Sequence, residues 1–255
     1  MTILSIESST SVCSAAICKD GEPIKQCISY EGSNHARLLP RYIEELLSLA
    51  RAQGLSIEAV ALSEGPGSYT GLRIGASTAK GLCYGLNIPL IPIPTLEVLC
   101  QAARELSAIS LQPSAVLVPM IDARRMEVYT KGLSDKVQST KEKDVRAVVV
   151  ESEESLIKGL RDKVQSTKET EYYYFGDGAA KCQAVLKSEN WHFIPNIVPE
   201  AQFMGAIVES RKSKVESPKS KVESPKMISG AELAYYEPFY LKEFIAAPSH
   251  VKGLN

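Results

Sequence analysis

Short apolar runs broken by polar turns open the chain, and apolar positions shift to a helical period after residue 35. Residues 2–6, 12–17 and 24–29 are short apolar runs separated by the polar turns Glu7-Ser8-Ser9-Thr10-Ser11 and Lys19-Asp20-Gly21-Glu22. That pattern predicts a three-stranded antiparallel meander. Leu38, Leu39, Tyr42, Ile43, Leu46, Leu47, Leu49 and Ala50 then recur at helical spacing, with Ser33 or Asn34 as N-cap and Gly54 as stop. The pattern continues with a buried strand at 58–63, a helix at 70–84 after the loop EGPGSY, a strand at 88–93 and a helix from Thr95 to about Leu106. A mixed sheet flanked by helices follows from this order.

The first lobe is expected to span 1–105 and the second 106–255. In the second, strands are expected at 115–121, 126–131, 145–150 and 172–175. Helices are expected at 153–160, 178–187 and 201–209, with a short terminal segment at 239–244. Two short exact repeats interrupt it: DKVQSTKE at 135–142 and 162–169, and SKVESPK at 213–219 and 220–226. Seven or eight residues cannot form a stacking solenoid unit, so these read as solvated insertions near 131–144, 162–170 and 211–227.

Composition narrows the function classes. The chain has 255 residues and is 44% hydrophobic with no run long enough to span a bilayer, and its first residues lack the basic-then-apolar order of an export signal. A cytoplasmic location without membrane contact is the expectation. Six cysteines without a CxxC pair read as buried thiols. With 29 basic and 30 acidic residues, no global field draws a polyanion, so a nucleic-acid role needs a local patch or a partner. The segment 211–226 carries six Lys/Arg against two Glu and could touch an RNA backbone, although a solvated loop is the simpler reading. Deleting 213–226 without effect would show it dispensable.

The three histidines, His35, His192 and His250, lack metal-ligand spacing, and no GxSxG elbow or thiol-activating surroundings are present. More chemistry lies in Glu64-Gly65-Pro66-Gly67-Ser68-Tyr69-Thr70-Gly71-Leu72-Arg73. Glycines ahead of a helix N-terminus let backbone N–H groups meet a phosphate. A Walker A loop would carry Lys-Ser/Thr where Leu72-Arg73 stand, and a capped Pro-Gly turn fits equally well. Candidate anion contacts are Ser8, Ser9 and Thr10 of the first turn with Gly65, Gly67 and Ser68. In the following helix Gly71, Gly75 and Ala79 recur every four residues, a flat face suited to close packing. With the wide apolar face of the preceding helix it suggests a protein interface built from Leu39, Tyr42, Ile43, Leu46, Gly71, Ile74, Gly75, Thr78 and Ala79. The alternative is that the sheet consumes both faces.

The strings ILSIESSTSVCSAAI, HARLLPRYIEELL, ALSEGPGSYTGLRIGASTAKGL, IPTLEVL, IDARRMEVY and FGDGA, in that order, resemble the TsaB (YeaZ) family of bacterial tRNA threonylcarbamoyladenosine biosynthesis. The resemblance implies an actin-like ATPase (ribonuclease H-like) α/β fold in two lobes, each a mixed sheet flanked by helices. It implies a non-catalytic partner of TsaD in threonylcarbamoylation of adenosine 37 in tRNAs reading codons that begin with adenine. TsaE would be a third component, the chain would form a homodimer when TsaD is absent, and tRNA would be met only through the complex. No tightly bound cofactor is implied, only ATP or ADP in the assembled complex. TsaD carries a metal-binding histidine pair where this chain reads Pro94-Thr95-Leu96-Glu97-Val98-Leu99, so no catalytic metal is expected; Glu7 replaces the aspartate usual on the first strand. Two alternatives stand beside this: an active phosphotransferase or ATPase of the same fold, and a peptidase. Gly75→Leu is expected to break the partner complex while leaving the fold largely intact.

Overall fold

The computed structural model describes residues 1–32, 34–107, 115–131, 133–134, 145–160, 170–215 and 226–242. Strands β1 (Thr2–Glu7), β2 (Cys13–Lys19) and β3 (Glu22–Ser29) form the expected meander, and β4 (Ala59–Gly65) and β5 (Leu90–Pro94) extend it. The sheet order is β3-β2-β1-β4-β5, with β1 antiparallel to β2 and parallel to β4. Both faces are covered, which is why β1 and β4 are buried along their whole length and read as almost unbroken apolar runs. On one face lie α1 (His35–Ala52) and α2 (Tyr69–Leu86), packed on Leu4, Ile6, Ile17, Val60 and Leu62. On the other lies α3 (Thr95–Leu106), against Ile3, Ala61, Ile91 and Ile93.

The second sheet contains β6 (Val116–Asp122), β7 (Glu127–Thr130), β8 (Leu133–Ser134), β9 (Arg146–Val149), β10 (Tyr172–Phe175) and β11 (Trp191–Phe193), ordered β11-β10-β6-β7-β9 with β8 beside β6. Helix α4 (Glu153–Leu160) packs Leu156 and Leu160 into its core. The chain then returns to the first sheet: α5 (Met204–Val215), entered through a 3-10 turn at Ala201–Phe203, buries Met204, Ile207 and Val208 beside α3. Residue Ile228 pairs with Leu90 at the β5 edge, ahead of α6 (Gly230–Ala234). One hydrophobic cluster joins Ile3 and Ile93 of the first sheet to Ile121 and Phe175 of the second. The whole is an α/β fold of two mixed sheets flanked by helices.

Several details differ from the sequence expectation. The helix expected at 178–187 is only a 3-10 turn, Ala180–Ala184, whose i→i+3 bonds link Ala179, Cys182 and Val185. Gly178 lies so close to the β6 backbone, 2.9 Å from its Cβ position to Asp122 N, that the chain has room for one turn there. Strands β8 and β11 and helix α6 are two, three and five residues long, too short for a periodic signal. The helix expected at 201–209 runs on to Val215, so the basic stretch begins inside α5, where Arg211 bonds Glu97 of α3 at 2.6 Å. The repeat DKVQSTKE, Ser33, His250 and most of SKVESPK lie outside the described residues. All six cysteines are buried and free, with burial pushing the Cys13 thiol to about 11 and Cys100 to about 12. No helix among the described residues is long and apolar enough to cross a membrane.

Candidate functional site

The turn after β1 and the glycine loop before α2 are fastened to each other. The Ser9 amide and hydroxyl both donate to Glu7 Oε1, at 2.6 and 2.5 Å, while the Ser8 hydroxyl donates to the Gly71 carbonyl at 2.9 Å. The Ser68 amide donates to the Ser9 carbonyl at 2.6 Å, and Ser68 Oγ caps α2 by accepting from Gly71 N. Within the same turn, Thr10 Oγ1 accepts from Val12 N at 3.3 Å. A Cβ at Gly67 would fall on the Ser9 carbonyl, so Gly67 permits close contact rather than leaving a gap. Of the cradle expected from Ser8, Ser9, Thr10, Gly65, Gly67 and Ser68, the Ser8 and Ser9 hydroxyls and the Ser9, Gly65 and Ser68 amides thus bond within the chain. Glu7 is fully buried, its carboxyl raised by desolvation against the lowering effect of the Ser9, Ser63 and Ser8 bonds, and its Oε2 accepts no hydrogen bond from the described residues.

Adjacent polar groups are likewise used within the fold. Thr95, in the stretch where a metal-binding histidine is missing, shares a hydrogen bond with Ser63 at 2.7 Å and accepts from Gly65 N at 3.1 Å. His35 is buried and bonds the Val12 carbonyl at 3.2 Å, and so ties the start of α1 to the strand entry. His192 sits against Glu171 at 2.5 Å. Among the described residues no three His, Cys, Asp or Glu gather as a metal would require.

The helix faces separate differently from the expected interface. Leu39, Ile43, Leu46, Gly71, Gly75 and Ala79 face the chain's own sheet and are buried. A Cβ at Gly75 would fall on Ser8 Oγ and lie 3.2 Å from Leu62 Cδ1. The close backbone approach signalled by these small residues is therefore intramolecular, and Gly75→Leu would disrupt the fold itself. Of the expected set, Tyr42, Ile74 and Thr78 remain half-buried at the surface. Beside them on α2 are Gly81 and Gly85, with nothing within 4 Å of either Cβ position, and Tyr84, 87% exposed. Ser77, Gly81 and Gly85 repeat at four-residue spacing, so the outer small face was visible in the sequence but overshadowed by the inner one.

The turn joining β6 to β7 carries Arg124 and Arg125, both exposed and both in the left-handed region at φ 68° and 52°. Such a conformation costs a non-glycine residue about 1–2 kcal/mol. Nearby, Asp177 accepts from Asp122 N at 3.0 Å, and its carboxyl is raised by desolvation. The segment after α6 crosses here from one lobe to the other. Phe239 N donates to the Glu64 carbonyl at 2.7 Å, Tyr240 lies 5.0 Å from the Tyr69 ring, and Lys242 bonds the Ala123 carbonyl at 3.2 Å and pairs with Glu127. The sequence signalled only a short segment here, because its links are to residues more than a hundred positions away.

The model of the family described as TsaD: tRNA N6-adenosine threonylcarbamoyltransferase matches residues 30–239. The TsaB proteins of Haemophilus influenzae and Bacillus subtilis are 36% and 34% identical to the chain over 140 and 131 residues, 54% and 51% of this chain. The chain spans only about half of those relatives, 57% and 54% of their lengths. In three dimensions, YeaZ from Pseudomonas aeruginosa superposes with a TM-score of 0.64 at 23% identity, covering 94% of this chain and 99% of that one. A second structure, described as similar to peptidase YEAZ from Pseudomonas aeruginosa, gives 0.67 at 21%, with the same coverage. The match over 30–239 makes this chain a member of the TsaD: tRNA N6-adenosine threonylcarbamoyltransferase family, grouped with its TsaB (YeaZ) proteins.

Proposed function

We propose that the chain is the non-catalytic partner of TsaD in threonylcarbamoylation of adenosine 37 of tRNA. It would act in the cytoplasm with TsaE as third component and as a homodimer when TsaD is absent. The observation carrying this reading is the closed junction between the β1–β2 turn and the glycine loop, where Ser8, Ser9 and Ser68 spend their donors on Glu7, Gly71 and Ser9. A phosphotransferase would need such donors free for phosphate. The names of its TsaB relatives support the pathway. TsaD would dock on the outer α1–α2 surface at Tyr42, Ile74, Thr78, Gly81 and Tyr84, where missing side chains leave room for a helix to approach. ATP or ADP, where it takes part, would enter only in the assembled complex.

The test is a reconstituted threonylcarbamoylation assay with TsaD, TsaE and the threonylcarbamoyl-AMP synthase, run with and without this chain. Product that depends on the chain supports the accessory role. Equal product without it removes the role and leaves the fold assignment.

A further inference from the structure

The arginine pair of the β6–β7 turn takes no part in the docking surface or in the closed junction. We infer that Arg124 and Arg125 form a rigid phosphate-binding tip that contacts the sugar-phosphate backbone of RNA. The inference rests on the tRNA-modification reading, which supplies the RNA.

The surrounding chain holds this tip in shape. Lys181 donates to the Arg125 carbonyl at 2.8 Å, to the Glu127 carbonyl at 2.7 Å and to the Asp122 carboxylate, which uses all three of its protons. From the other side Lys242 reaches the Ala123 carbonyl at 3.2 Å and the Glu127 carboxylate, and Asp122 Oδ1 accepts from Arg124 N at 3.1 Å. Two lysines distant in sequence thus fix the turn and cancel its two carboxylates, Asp122 and Glu127. Asp177, the remaining nearby acid, is exposed and accepts from Asp122 N, with its carboxyl shifted toward the neutral form by desolvation. Two exposed guanidiniums remain, without an ion-pair partner among the described residues, so the tip carries a net positive charge.

Their backbone conformation favours glycine and asparagine, yet arginine occupies both positions. A guanidinium offers a planar fork of donors that matches a phosphate, and a single nucleic-acid strand presents its anions one by one to a convex tip. A stable protein interface needs roughly 800 Å² a side around an apolar centre, which a two-residue tip does not supply.

The experiment uses the reconstituted complex with TsaD and fluorescently labelled tRNA, titrated across a salt series, with wild-type chain, R124N/R125G and R124K/R125K. The Asn-Gly turn should raise the melting temperature of the chain by a few degrees, because it relieves two left-handed strains. It should also weaken tRNA binding roughly tenfold and lower the salt slope by about 1.4–1.8, or about 0.7–0.9 per lost phosphate contact. The lysine pair should keep the wild-type slope. An R124N/R125G chain with wild-type tRNA affinity and slope overturns the inference, as does a loss of TsaD binding with tRNA affinity intact, which would assign the tip to an acidic protein surface. Either result leaves the accessory role standing if product still depends on the chain. Product formed equally without the chain removes the accessory role and takes the inference with it.

Discussion

Glycine-to-alanine changes on α2 should move stability in opposite directions on its two faces. At Gly71 an added Cβ falls on the Ser8 carbonyl and lies 3.4 Å from Ser68 Cβ. The neighbour is backbone, already held by the Ser8–Gly71 and Ser68–Ser9 hydrogen bonds, so it cannot yield as a flexible side chain would. Overpacking of this kind costs about 1–3 kcal/mol, a lost hydrogen bond adds about 1, and the helix-propensity gain returns up to about 1. Gly71→Ala should therefore lose about 1–3 kcal/mol. Gly81→Ala meets nothing within 4 Å and should gain up to about 1 kcal/mol. At this chain length 1 kcal/mol corresponds to about 2–4 °C, so thermal unfolding followed by circular dichroism at 222 nm should separate the two variants clearly. A Gly71→Ala chain as stable as wild type, or a destabilised Gly81→Ala, would refute the assignment of inner and outer faces. Gly81→Leu then replaces Gly75→Leu as the interface test, and should keep the fold while weakening TsaD capture in a pull-down.

Further outcomes follow from the buried charges. Because the Glu7 carboxyl is raised, the native state holds its proton more tightly than the unfolded chain, and stability falls as pH rises from 4.5 toward the raised value. Glu7→Gln should flatten that slope and gain stability at pH 7 in urea unfolding; a loss at pH 7 would contradict it. Arg211→Met leaves Glu97, 15% exposed and with Oε1 already unpartnered, without its cation. About 1–3 kcal/mol should be lost, and the double variant with Glu97→Met should recover part of it; a double variant no better than the single one would refute the pairing. Lys181→Met should unfasten the arginine turn, seen as faster amide exchange at Arg125 and Glu127.

Much of the fold was legible because its strands and helices carry unambiguous periods. Helix α3 and strand β10 fall at the residues expected, 95–106 and 172–175, bounded by a proline and by polar residues. The short elements were not legible, because two to five residues give no period and owe their form to distant neighbours, as β11 does to β10. At the site, Gly71, Gly75 and Ala79 correctly announced a close approach. A sequence says that backbones come near at such positions but not whose backbone it is. Here the partner is the turn at Ser8, sixty-three residues earlier, and only the paired geometry of β1 and β4 brings it there.

The closed junction and the arginine turn share a physical logic. In the first, hydroxyls and amides that would suit phosphate are satisfied by Glu7 and by backbone carbonyls, so binding an anion there would first require breaking four internal hydrogen bonds. In the second, lysines spend their charge on Asp122 and Glu127, and the arginines are left without an ion pair among the described residues. Each internal bond costs about 1 kcal/mol to give up, whereas the arginines surrender only water on meeting a phosphate. On the inference above, anion recognition would thus be displaced from the interior of the lobe to its rim. A subunit that contacts an RNA handled by its partner, without transferring phosphate itself, needs its free positive charge at that rim.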